Sequence, residues 1–172
     1  MWQSILRLGL AAFAMALATA ASAGAPPPVA VFPIELWDTS GEGVKPGQAE
    51  RLRHATETLA KTLEQTGRYS IADLAPYAVE IDKTSPRYAC NGCWKPIAEK
   101  AGAQFAALST VHKVSSLISS FDISITDLKT GKLVAYASGQ FRGDTDEAYT
   151  RAIAFLVKDR LFSSEAAPAA AR

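Results

Sequence analysis

This 172-residue chain has little cysteine, little histidine and almost no charge bias: two Cys, two His, and 18 Lys+Arg against 17 Asp+Glu. Two cysteines are too few for a disulfide-dense scaffold or a four-thiolate zinc site. A formal charge of +1 supplies no basic field to neutralise phosphates, which argues against a nucleic-acid partner, and there is no acidic run of the kind that keeps a chain unfolded. Gly41, Gly43 and Gly47 follow the first apolar segment after the amino terminus, but no G-x-G-x-x-G or Walker pattern is present, so no phosphate-cradling loop is expected. What remains is an ordinary globular composition, 48% hydrophobic, at a length that suits one domain.

The amino terminus departs from that composition. Arg7 precedes an apolar run over residues 8–20, and Ala21-Ser22-Ala23 places small residues at both positions of an A-x-A site. This is the pattern of a secretory signal, with cleavage expected after Ala23. The run falls short of the roughly 18 to 20 apolar residues of a spanning helix, and no other stretch approaches that length, so no transmembrane segment is expected after cleavage. No twin-Arg pair precedes the run and no Cys follows it to carry a lipid. Losing Arg7 leaves 17 charges of each sign, so partners are expected to be found by shape and apolar contact instead of electrostatic steering.

The remaining periodicities predict the order β-α-β-α-β-β-β-α. Residues 29–36 are almost continuously apolar, as in a strand covered on both faces, with Pro33 marking a bulge or the strand's outer end. Residues 48–66 place Leu52, Ala55, Leu59 and Leu63 on one helical face, between Pro46 and Gly67. A short strand over 69–73 and a short helix over 96–101 precede three strands at 105–114, 119–127 and 132–142, the last two joined by a tight turn at 128–131. Asp144, with Glu147 three residues on, is expected to cap a final helix that turns Tyr149, Ile153, Leu156, Val157 and Leu161 inward. Helical crossovers make the first three strands parallel, and hairpins make the fourth antiparallel. The expected fold is α/β: a single domain over 24–162 with a mixed five-stranded sheet, order 2-1-3-4-5, and helices on both faces. Residues 1–23 are assigned to the signal peptide and the Ala-rich residues 163–172 to a disordered tail.

Between residues 74 and 93 no period holds. About twenty residues without an element is long for a compact domain and suggests a functional loop. Its end carries Cys90-Asn91-Gly92-Cys93. In an exported chain this pair meets oxidising conditions, and Asn-Gly suits the short turn that a bond across it needs. A structural disulfide is the first reading. The alternative is a redox pair, because a helix starting near Pro96 would lower a thiol pKa if its amino end faced the sulfur. The residues before Cys90 do not form the apolar strand that leads into a thioredoxin-type pair, and Trp94 stands where covalent haem attachment needs His. His54 and His112 have no spacing relation to the cysteines, so neither a metal nor another cofactor is expected. Both histidines read as surface or satisfied residues. Asp122 and Asp127 face outward or end a strand, and Arg142-Gly143-Asp144 reads as a strand-to-helix junction, so no catalytic residue is assigned.

Residues 29–36, 67–73, 98–104, 127–132 and 141–147 together resemble a secreted proteobacterial family of unknown function, number 2380 of the domain-of-unknown-function series, over nearly all of the chain after the signal. More distantly, the element order is similar to the amino-terminal domain of TolB and to the curli secretion lipoprotein group. The resemblance implies a periplasmic mixed-sheet domain that serves as an assembly or interaction module, and it implies no catalytic residue. The expected function is therefore a periplasmic non-catalytic binding or accessory module that contacts another envelope protein. It would do so through a sheet edge or the 74–93 loop, with Tyr77, Tyr88, Trp94 and Trp37 as aromatic contacts. The alternative is a thiol-disulfide redox or electron-transfer accessory that uses Cys90 and Cys93.

Overall fold

In the computed structural model, which describes residues 24–162, six strands form one sheet. They are β1 (Pro28–Val31), β2 (Glu35–Asp38), β3 (Ser70–Ile71), β4 (Phe105–Lys113), β5 (Ile118–Asp127) and β6 (Leu133–Arg142). The order is β3-β1-β4-β5-β6, with β2 continuing the line of β1 alongside β4. The β3-β1, β1-β4 and β2-β4 pairings are parallel, and β5 is antiparallel to both neighbours. This is the expected mixed sheet in the expected order, except that the apolar run 29–36 makes two strands. Pro33 has no N–H to give the ladder, and the Ile34 N–H donates to Thr56 Oγ1 at 3.0 Å, so the chain leaves and rejoins β4 there. The signal and tail assigned to residues 1–23 and 163–172 lie outside the described residues.

Helices α1 (Gln48–Gln65) and α4 (Asp146–Phe155, continued by a π turn over Leu156–Leu161) cover one face of the sheet. Alternation sends Val29, Val31, Ala107, Val111, Phe121, Ile123, Ile125 and Ala137 toward them, where they meet Ala55, Leu59, Leu63, Tyr149, Ile153, Leu156 and Val157. A Cβ on Gly139 would stand 3.0 Å from Leu156 Cδ2, so the bare glycine lets the helical layer come down onto β6. The cap of α4 differs from expectation by one residue. Thr145 Oγ1 accepts the Ala148 N–H at 3.2 Å, whereas the Asp144 carboxylate accepts from Arg51 Nη1 at 2.8 Å. A guanidinium within reach is a stronger partner for a carboxylate than a backbone amide, and the shift leaves Glu147 one place short of a capping box.

A charge cluster closes one end of this layer. The Lys113 side chain touches no solvent, and its Nζ lies 3.3 Å from Glu42, 3.5 Å from Asp38 and 3.9 Å from Asp144. Desolvation pulls the Lys113 pKa down, but the Glu42 hydrogen bond and the charges of Asp38 and Asp144 outweigh it and hold the ammonium above its ordinary value. Glu42 also accepts the Ser116 N–H at 2.9 Å, tying the 39–47 loop to the β4–β5 turn.

The opposite face is covered over only part of its area. The 74–93 segment is not without elements. It holds a 3-10 turn (Ala75–Tyr77), α2 (Ala78–Asp82) and a second 3-10 turn (Arg87–Ala89), each too short to show a 3.6-residue period. With α3 (Lys95–Lys100) this patch packs Ile81, Trp94, Ile97 and Ala98 on Ala30, Phe32, Ala106 and Leu128. Farther across, the same face carries Thr110, His112, Asp122, Ser124 and Tyr136, all half-buried or exposed.

Candidate functional site

A cleft of about 300 Å³ lies where the helical patch ends and the open sheet begins. The sheet supplies its floor in two rows set by strand register. Glu35 pairs with Thr110 and Thr110 with Asp122, while Leu108 pairs with Ser124 and Ser124 with Tyr136. Residues two apart on a strand share a face, so both rows look the same way. The helical patch supplies the wall: Arg87, Tyr88, Asn91, Gly92 and Trp94.

Glu35 and Arg87 join wall to floor, and neither side chain is more than a tenth exposed. Glu35 Oε2 accepts the Arg87 backbone N–H at 2.7 Å, and Arg87 Nη2 stands 3.1 Å from Glu35 Oε1 in a charge contact that lacks hydrogen-bond geometry. The guanidinium also donates to Ile81 O at 3.1 Å, Thr84 Oγ1 at 3.3 Å and Pro33 O at 3.0 Å. Burial pulls the Arg87 pKa down, and the charges of Glu35 and Asp82 oppose it. The pair is a strut whose terminal guanidinium nitrogens are engaged inside the fold.

The floor behaves differently. The Tyr136 hydroxyl donates to Asp122 Oδ1 at 2.8 Å across β5 and β6. Burial first, and then the bond to Asp122, raises the phenol above its ordinary pKa, so Tyr136 stays a proton donor. Asp122 has no cationic partner among the described residues. At the rim, Trp37 stacks on His112 with ring centroids 4.1 Å apart and lies 6.4 Å from Tyr88; Thr39 Oγ1 and His112 Nε2 are 2.8 Å apart. Trp37 is 49% exposed, Tyr88 53% and Tyr136 44%, a large ring area to leave in water.

Cys90 and Cys93 are joined by a disulfide. Asn91 at φ 49 and Gly92 at φ 92 make the turn inside it, in the left-handed region that Asn and Gly tolerate. Of the four aromatic residues singled out from the sequence, Tyr88 and Trp37 come together at the rim. Trp94 lines the cleft but is only 8% exposed, edge-on to Phe32 at 6.1 Å. Tyr77 is half-buried, donates to Lys100 O at 2.9 Å and is not among the lining residues. His54 is exposed on α1, away from the cleft. Sequence reasoning missed Tyr136, Glu35 and Arg87. Outward alternation on the strands was the available signal for the first two, whereas Arg87 sits in a segment with no period at all. Among the described residues, no group of three or more His, Cys, Asp or Glu is arranged to hold a metal.

Residues 27–161 match the model of a family described as "Protein of unknown function (DUF2380)". No curated protein matches the chain. Similar solved structures include the LpoB C-terminal domain from Salmonella enterica (18% identity, 67% of this chain and 82% of that one, TM-score 0.49). The PelC dodecamer from Paraburkholderia phytofirmans is similar at 16% identity, over 77% of this chain and 86% of that one, with TM-score 0.48. Lipoprotein GNA1162 from Neisseria meningitidis is similar at 15% identity, over 70% of this chain and 84% of that one, also with TM-score 0.48.

Proposed function

We propose, for a chain that belongs to this family of unknown function, a role as a periplasmic binding or accessory module that catalyses no reaction and docks another envelope protein on the open half of its sheet. The observation that carries this reading is a set of three rings, each about half exposed: Tyr88 and Tyr136, which line one cleft, and Trp37, which lies 6.4 Å from Tyr88. Large amphipathic rings at a concave surface are the side chains that dominate protein interfaces. The signal-like pattern of residues 1–23 supports export, and no described helix is long and apolar enough to cross a membrane. Replacing Tyr88 or Tyr136 with a photocrosslinking amino acid in living cells tests the surface, with Glu57 and Lys61 on the exposed side of α1 as controls. Discrete adducts from the first two positions alone are expected, and the same background from all four would count against the proposal. Release of the chain by osmotic shock, with Gly24 as its first residue, is the expected sign of export.

A second reading follows from the position of the disulfide. Asn91 and Gly92, inside the Cys90–Cys93 bridge, line the cleft, so a thiol-disulfide accessory would present its pair beside a docking surface. Equilibration with glutathione separates the two. A potential near about −200 mV suits redox work, and one below about −300 mV makes the bridge structural.

A further inference from the structure

The open half of the sheet has an electrostatic sign that the neutral composition hides. Arg87, the one cation lining the cleft, faces Glu35 and gives its protons to Ile81, Thr84 and Pro33. Both of its terminal nitrogens are engaged by the fold. Asp122 is bonded only to a neutral hydroxyl, and Glu35 Oε1, buried against Arg87, accepts no hydrogen bond. The unused capacity of the cleft is thus acceptor oxygen, with Asp122 as its uncompensated charge. Asn91, Thr110 and Ser124 add side-chain oxygens that can also accept.

The same cleft holds two aromatic rings, Tyr136, whose hydroxyl is bonded to Asp122, and Tyr88, which has Trp37 beside it at 6.4 Å. Ring faces carry the negative end of a quadrupole, so they attract a cation for the same reason the carboxylate does. A carboxylate among ring faces suits a flat cation with several N–H donors: a guanidinium can pair with the oxygens edge-on and lie against a ring with its face. An anion would meet Asp122, and a neutral sugar or amide would leave its charge unmatched. About 300 Å³ is at the small end of ligand sites and suits one side chain better than a cofactor.

We propose that the cleft receives an arginine side chain presented by the docked partner, with its guanidinium on Asp122 and against the Tyr88 or Tyr136 ring. This rests on the docking reading and gives it a chemistry. The test uses the full chain, expressed through the export pathway so that the disulfide forms, and follows its backbone amides by NMR. The titrants are the peptide acetyl-Gly-Arg-Gly-amide and its citrulline counterpart, which has the same shape without the charge. Saturable shifts at Asn91, Asp122 and Tyr136 are expected with the arginine peptide, about tenfold weaker binding with citrulline, and about tenfold weaker binding of arginine by Asp122→Asn. Equal affinity for the two peptides overturns the proposal, and that arm needs no variant to fold. Crosslinks from position 88 that form as well in an Asp122→Asn background as in the native one overturn the arginine site and leave the docking face standing. Absence of adducts in both backgrounds overturns the docking reading itself.

Discussion

On β5, neighbouring residues live in opposite surroundings. Phe121, Ile123 and Ile125 are wholly covered by α1 and α4, while Asp122 and Ser124 between them border the open cleft. The covered face has a continuous apolar layer, and even its charged residue, Lys113, is enclosed by carboxylates. The other face is roofed over β1 and the start of β4 by a patch of short helices, held down by the Glu35–Arg87 strut, and then stops. One face therefore holds the molecule together, and the other is free to carry recognition at little cost in stability, because its side chains bury little area.

The contrast is sharpest in substitutions. Phe121→Ala on the covered face should cost about 4 kcal/mol in urea unfolding, from lost burial and the cavity left behind. Arg87→Met should cost about 3 kcal/mol by the same measurement, because it leaves the buried Glu35 without a charge partner; a loss below about 1 kcal/mol would mean that the helical patch is held by its apolar contacts alone. Glu42 gives a local effect. The Lys45 hydrogen bond first and the Ser116 N–H second hold its pKa at about 2, below the ordinary 4.5. A depressed carboxylate contributes its stabilisation above the unfolded value and loses it as pH falls toward the folded one. Exchange of the Ser116 amide should therefore quicken relative to the rest of the chain between about pH 4.5 and 2, and Glu42→Gln should remove that pH dependence. The smallest change is expected on the open face, where Tyr136→Ser should move stability by no more than about 0.5 kcal/mol; a larger loss would show that this face supports the fold after all.

Legibility in the sequence followed the same division. The sheet order could be read because crossovers and hairpins leave few arrangements once β1 is recognised as doubly covered. The left-handed Asn91-Gly92 turn was legible from residue types alone. The helical patch was not, since turns of three to five residues leave no periodic trace. Asp144 looked like a cap because Arg51, which draws its carboxylate away, is remote in the chain. Lys113 follows Val111 on the apolar side of β4, yet a lysine there reads as exposed until Asp38, Glu42 and Asp144 are seen to converge on it.

By itself the sequence determined local matters: which residues alternate, where the two long helices lie, that the two cysteines sit across a tight turn, and that the charges cancel in sum. Only the tertiary structure decided that the charges do not cancel in place. Glu35, Thr110 and Asp122 become neighbours through strand register, and register is set by the need to bury Phe121, Ile123 and Ile125 on the far side of the same strand. Whether an acid is neutralised or left bare depends on which cation the fold brings within a few ångströms, and Arg87 was brought to Glu35, leaving Asp122 with a tyrosine hydroxyl.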